Sequence, residues 1–254
     1  NPSQGLANQT LIPQNVDSID DLLVNFRELL NTPRYPFWTW MFNSIVVASI
    51  TSVGMVMVTS FSAYAFSRFR FYGRRSLMLF MLLVQVFPNL LAMTAIFLLL
   101  LQLGQYAPAF GLNTIGGLIL VYMGGGIASN VYLMKGFFDS VPKELDESAK
   151  VDGATQWQTY WLVIFPLVRP ILIVVGILSF VGTFNEPVLS RILLTDINAK
   201  TLMAGLFFFI GDNFGQNWGV FAAGAVIGMI PTLVTYIFFQ NQIVGGLTQG
   251  AVKG

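Results

Sequence analysis

Apolar residues along this chain gather into five long stretches separated by shorter polar ones. They run from about Phe37 to Phe66, Ser76 to Leu101, Thr114 to Met134, Trp161 to Leu189, and Trp218 to Gln240. Each approaches or exceeds the ~20 residues that carry a helix across ~30 Å of hydrocarbon. The pattern predicts an all-α membrane protein, a polytopic helical bundle with five visible spans. Small residues such as Ala48, Ser49, Ser52, Gly54 and Ser60 punctuate the first span and permit close helix packing. The second contains Pro88, which frees a carbonyl and is expected to kink it. The third holds Gly124-Gly125-Gly126, where another backbone can come close. The fourth is the least regular, with Pro166, Arg169, Pro170, Gly176, Gly182 and then Asn185-Glu186-Pro187. Trp38, Trp40 and Trp218 mark membrane interfaces, where indoles prefer to sit.

The polar segments divide the rest. Residues 1–36 form an extracytoplasmic segment with an amphipathic helix from Ile19 to Leu30. Residues 37–254 form the membrane domain, closing on a short glycine-rich tail, 241–254. One stretch, 139–160, is polar, charged and helix-prone at once. Pro142 suits a first helical turn, where its missing N–H is harmless. Glu144, Asp146 and Glu147 crowd the positive end of the dipole. Leu145 and Ala149 share a face at i, i+4. Gly153 can take the left-handed conformation that ends a helix. Thr155 and Gln158 are spaced as a capping box that opens a second helix. A water-soluble helix between spans requires a protein partner or a headgroup surface.

Hydrophobic residues make up 55% and charged residues 10%, against about 25% charged in soluble domains. The net charge of +1 gives no footing for nucleic acid. The chain has neither Cys nor His, which removes thiolate metal sites and the commonest general base. No catalytic residue and no metal ligand is assigned, and an enzyme is not expected. Gly245 and Gly250 have the spacing of a phosphate-binding loop, but Ala251 stands where Lys is required. Any ATP, with its Mg, must therefore sit on another chain. Arg68, Arg70, Arg74, Arg75, Lys135, Lys143, Lys150 and Lys253 fall in the proposed inner segments; Arg27, Arg34, Arg191 and Lys200 fall in the outer ones. This bias puts the C-terminus in the cytoplasm and the N-terminus of the visible chain outside. A secondary transporter would show internal repeats with broken helices at matching positions, and none is convincing here.

Glu147-Ser148-Ala149, Gly153 six residues after the Glu, then Val163, Phe165 and Pro166 together resemble the EAA loop of bacterial ABC importer permeases. In that pattern Ser148 replaces an Ala, Val163 an Ile and Phe165 a Leu, while Asp152-Gly153-Ala154 also fits. Gly111-Leu112-Asn113-Thr114, Ala154-Thr155-Gln156-Trp157-Gln158 and the ending from Gly246 to Gly254 are similar to the carbohydrate-uptake branch, in particular to G-type permeases of maltose/maltodextrin importers. The resemblance implies a permease subunit that moves an oligosaccharide by alternating access across the bacterial cytoplasmic membrane. It implies an F-type permease as heterodimer partner, two ATPase subunits, and an extracytoplasmic sugar-binding protein. It also implies a sixth span preceding Asn1. The same machinery could serve a polyol or glycerol phosphate instead.

Site roles follow from the same likeness. Glu144, Leu145, Glu147, Ser148, Ala149, Asp152, Gly153 and Ala154 would form the coupling helix that docks in the ATPase. The outer loop Phe207-Phe208-Phe209-Ile210-Gly211-Asp212-Asn213 would reach into the binding protein's cleft, or else anchor an interfacial turn. The tail residues Gln249, Gly250 and Lys253 would meet the ATPase interface. Gln85, Asn89, Asn130, Asn185 and Glu186 are polar at membrane depth, where polar groups are costly and suggest function. They either line the pathway or hydrogen-bond between helices.

Overall fold

The computed structural model describes residues 19–32, 35–86, 89–211 and 217–251. Its axis is α2 (Phe37–Arg68), with the short amphipathic α1 (Ile19–Asn31) before it. Thirty-two residues make α2 roughly 48 Å long at 1.5 Å per residue, enough to pass through a bilayer and project from it. Its buried positions include Ser44, Val47, Ala48, Thr51, Met55, Thr59 and Ala63. They recur every three or four residues, so one stripe of small and polar side chains faces the bundle. The hydroxyl of Thr59 donates back to the Met55 carbonyl at 2.6 Å, which hides its polarity inside the helix. Against this stripe pack α5 (Ile115–Ser140) on one side and α7 (Gln156–Phe184), the fourth span, on the other.

The second span is not one helix. Residues 74–106 form α3 (Arg74–Val86) and α4 (Asn89–Tyr106), whose axes diverge by 106°. Pro88, expected to kink this span, lies outside the described residues. The third span runs past its expected end at Met134 to Ser140. Its last turns hold because Lys135 pairs with Asp139 one turn on and Phe138 is fully buried. The fourth starts at Gln156 and ends at Phe184 rather than spanning 161–189. It contains a π-helical segment over Thr159–Ile164, where the Phe165 N–H reaches the Tyr160 carbonyl. Pro166, which has no N–H to offer the ladder, follows at once. The fifth, α10 (Trp218–Ala251), continues beyond Gln240, so the tail is helical through Ala251.

Between α7 and α10 lie two short helices, α8 (Val188–Leu193) and α9 (Leu202–Leu206). They cap the first end of α2. Trp40 Nε1 donates to the Ile197 carbonyl at 2.6 Å, and Asn43 Nδ2 donates to the carbonyls of Asn198 and Lys200 at 2.8 and 3.0 Å. Leu29, Phe37, Trp40, Leu202, Leu206 and Phe209 form the core of this cap. Asn113 adopts a left-handed φ of 61°, which Asn tolerates, and its side-chain oxygen receives the backbone N–H groups of Thr195 and Asp196. A second core gathers at the other end of α2, from Ala63, Tyr64, Met134, Phe138, Tyr160 and Ile164.

Candidate functional site

At that second end sits α6 (Glu144–Val151), the polar helix legible in the sequence. Pro142 precedes it instead of occupying its first turn. Lys143 is the N-cap, and its carbonyl receives the Glu147 N–H at 3.1 Å. The far end is closed as expected. Gly153 has φ +80°, its N–H donates to the Lys150 carbonyl at 3.0 Å, and the Ala154 N–H reaches back to the Ala149 carbonyl at 2.9 Å. This pair of bonds is a Schellman closure, which satisfies carbonyls the helix end would leave orphaned. The capping box follows directly. Gln158 N–H donates to Thr155 Oγ1 at 3.2 Å, and Thr155 N–H donates to Gln158 Oε1 at 2.8 Å. Helix, left-handed joint and new helix therefore succeed one another without a slack residue.

The inward face of α6 is Asp146 and Ala149, both buried. Leu145, placed with Ala149 on one face by their i, i+4 spacing, is 37% exposed while Ala149 is buried. The reason is Arg68, at the end of α2. Its Nε lies 2.8 Å from Asp146 Oδ2, with the two side chains 5% and 8% exposed. The same guanidinium donates to the carbonyls of Phe138 and Val141, each at 3.0 Å. One side chain thus ties together α2, the end of α5 and α6. Rotating α6 to bury Leu145 would break this buried pair. Beside it, Ser67 Oγ donates to Asp139 at 2.6 Å, Ser60 and Tyr160 hydroxyls meet at 2.6 Å, and Tyr64 donates to Gln156 Oε1 at 3.2 Å. Sequence reasoning counted Arg68 only as a topology marker and gave Asp146 only a dipole role.

The outward face of α6 presents Glu144, Leu145, Glu147, Ser148 and Asp152 to solvent, with Val151 88% exposed. That face is an acidic edge around exposed aliphatic side chains, on a helix tied to the spans. Among the described residues no cluster of His, Cys, Asp or Glu could hold a metal.

The polar candidates in the spans separate. Asn130 and Glu186 meet in a cleft of about 170 Å³, with Tyr122, Ser179 and Thr183. Glu186 accepts the Tyr122 hydroxyl at 2.7 Å and the Val188 N–H at 2.7 Å, so it caps α8 while bridging to α5. Asn130 donates to the Gly126 carbonyl at 2.8 Å and Asn185 to the Val181 carbonyl at 2.9 Å. Gln85 is exposed on α3, outside the cleft, and the side chain of Asn89 lies outside the described residues. Tyr122 was missed by sequence reasoning; its helical register with Asn130, two turns apart, was the available signal.

In the outer loop the aromatic half is anchored. Phe209 is buried, with its ring 4.6 Å from Tyr35; Phe208 stacks on Trp40 at 6.1 Å; and the Arg191 guanidinium lies 4.6 Å over Phe207. Ile210 and Gly211 are half-buried, while Asp212 and Asn213 lie outside the described residues. Gln249 and Gly250 are on the last turns of α10, and Lys253 is outside the described residues.

The described residues form an all-helical bundle with four, or up to five, helices long and apolar enough to cross a membrane, and one polar helix tied to them, which defines the class as a polytopic helical membrane protein. Comparison with known proteins agrees. The family described as "Binding-protein-dependent transport system inner membrane component" matches residues 55–243, and this chain belongs to that family, the inner-membrane permeases of ABC importers. The chain is 46% identical over 224 residues to the maltose/maltodextrin transport system permease protein MalG of Vibrio vulnificus (strain YJ016), covering 87% of this chain and 74% of that protein. It is 42% identical over 227 residues to the same-named protein of Escherichia coli (strain K12), covering 89% and 75%. Among solved structures, a bacterial ABC transporter involved in import of the acidic polysaccharide alginate matches with a TM-score of 0.69 and 26% identity, over 86% of this chain and 79% of that one. The same alginate transporter type in complex with an alginate pentasaccharide-bound periplasmic protein shares the fold, with a TM-score of 0.64 at 15% identity.

Proposed function

We propose that this chain is one half of a heterodimeric permease that imports an oligosaccharide of the maltose/maltodextrin class. The F-type permease is the other half, and two ATPase subunits supply ATP and Mg. The relatives' names and the shared carbohydrate-importer fold support the substrate class. The observation that carries the mechanism is the attachment of α6. Its outward face is free for an ATPase, while its inward face is held to α2 and α5 by Arg68 and to α7 by the Gly153 joint. A shift imposed on α6 by nucleotide-driven closure therefore moves three spans together, without being absorbed in a loop. The cleft of Asn130, Tyr122 and Glu186 is our candidate for the stretch of pathway contributed by this chain. The C-terminus faces the cytoplasm in this reading, on the ATPase side.

Glu147→Lys tests it. The variant reverses charge on the exposed edge of α6 and leaves the buried Asp146 pair intact. In proteoliposomes it is expected to assemble, keep its place in the membrane, and lose most binding-protein-dependent sugar flux. A coupling free energy of about 1–3 kcal/mol corresponds to roughly 5–150-fold. Normal flux with Glu147→Lys would remove the coupling assignment, and calorimetry of the cognate binding protein against maltodextrins checks the substrate class separately.

A further inference from the structure

Arg70 in the loop joining α2 to α3, and Arg74 and Arg75 at the start of α3, surround one cavity of about 760 Å³ together with Lys135 of α5. Four cations around one space repel one another unless an anion is among them. Lys135 is engaged by Asp139, and that carboxylate also receives Ser67. Arg74 donates to the Phe69 carbonyl at 3.4 Å. Among the described residues Arg70 and Arg75 have no hydrogen-bond or ion-pair partner. The cavity has a second character. Its apolar wall is Met78, Leu79 and Leu82, one to two turns further along α3 from Arg74 and Arg75. That helix buries no residue, and Leu79, Phe80 and Leu83 are 54%, 60% and 69% exposed, as on a helix that faces hydrocarbon. Phe71 and Tyr72 are exposed at the top of the loop, where aromatic side chains mark the interface. The cavity therefore straddles the level at which apolar α3 meets the basic loop, at the end of the bundle that holds α6.

We propose that this cavity binds an anionic phospholipid of the leaflet on the α6 side. Its phosphate sits between Arg70 and Arg75, the two cations left without a partner among the described residues, and an acyl chain lies along Leu79 and Leu82. Arginine suits the phosphate because its planar fork donates two parallel hydrogen bonds, and basic pockets between spans on the cytoplasmic side take such headgroups. A soluble phosphate would satisfy the cations but leave the apolar wall in water, which is why the lipid is the occupant. Seated there, it braces α3 against α5 beside the Arg68–Asp146 joint.

The test is native mass spectrometry of the assembled transporter in detergent, titrated with a phosphatidylglycerol or a phosphatidylcholine of the same chains. The wild type is expected to retain phosphatidylglycerol and release phosphatidylcholine. Arg70→Gln with Arg75→Gln should weaken phosphatidylglycerol roughly 30-fold, from two lost cations, while Arg70→Lys with Arg75→Lys stays close to wild type. Arg191→Gln, at the opposite end of the bundle, should change nothing. Should the Gln pair fail to assemble, Leu82→Trp fills the acyl wall with every charge kept and must weaken retention in its place. Equal retention by the Gln pair or by Leu82→Trp, or full displacement by inorganic phosphate, overturns the proposal. So does a cavity found covered by a partner subunit in the assembled complex.

Discussion

Arg68 and Asp146 show how two residues on separate helices set the orientation of a third element. A buried ion pair contributes little net stability over a well-packed apolar pair, but removing one partner strands a charge and costs about 3–5 kcal/mol. Arg68→Ala and Asp146→Ala are each expected to lower the thermal midpoint of the purified complex by several degrees and to uncouple ATP hydrolysis from transport. Arg68→Met combined with Asp146→Leu should recover most of the midpoint but not the coupling, since the carbonyls of Phe138 and Val141 lose their donor. Midpoints that do not move in the single variants would show that the pair is not buried in the assembly. Gly153 offers a cleaner residue-scale test. Beyond Gly153 and its two chain neighbours no atom lies within 4 Å of the position a Cβ would take, so only the φ of +80° opposes a side chain. A left-handed non-glycine residue costs about 1–2 kcal/mol, less for Asn. Transport at matched expression should rank Gly above Gly153→Asn, and that above Gly153→Val; an equal rate for the Val variant would mean the joint tolerates slack.

At the scale of elements, the fold is a long axis with a different device at each end. The outer cap rests α9 directly on α2. A Cβ at Gly205 would fall 2.3 Å from the Trp40 ring, and the indole cannot retreat without losing its bond to Ile197. Gly205→Ala should therefore lift α9, at a cost of roughly 1–3 kcal/mol as for other overpacked sites. Limited proteolysis from the outside should then cut the 188–211 segment faster, while cross-linking of α6 to the ATPase stays unchanged. An unaltered cleavage rate would show that the cap yields elsewhere. The inner device works in the opposite manner: α6 is short and mostly exposed, and it holds its place through a single guanidinium, a left-handed joint and the aromatic cluster of Phe61, Tyr64 and Tyr160.

For the whole molecule, the proposed orientation rests on which end carries the basic loop. Tyr72 is fully exposed beside Arg70 and Arg74, and Asn198 is exposed on the outer cap. The chain has no Cys, so Tyr72→Cys and Asn198→Cys are read against a clean background. A membrane-impermeant maleimide should label Asn198→Cys in intact cells and Tyr72→Cys only after the membrane is opened. The reverse pattern would invert the topology and remove the docking role of α6 with it.

The apolar lengths, the glycine stop, the capping box and the acidic start of α6 were all legible in the sequence, because each is decided by residues within a turn or two of one another. Membrane solvent enforces the first, since a backbone in hydrocarbon must bond within its own helix. The division of the second span into α3 and α4, the run of α5 to Ser140 and the π-helical segment before Pro166 were not legible, because helix ends in a bundle depend on what packs beside them. Nor was the rotation of α6: local spacing alone favours Leu145 with Ala149, and only a guanidinium delivered by α2 turns Asp146 inward. Glu186 was picked out by its rarity at that depth, but its partner Tyr122 comes from α5, brought there by packing on α2. The sequence by itself determined that this is a bundle of spans with one short polar helix between two of them. The tertiary structure decided which face of that helix is left exposed, because a charge pair buried between distant segments outweighs the preference of any single turn.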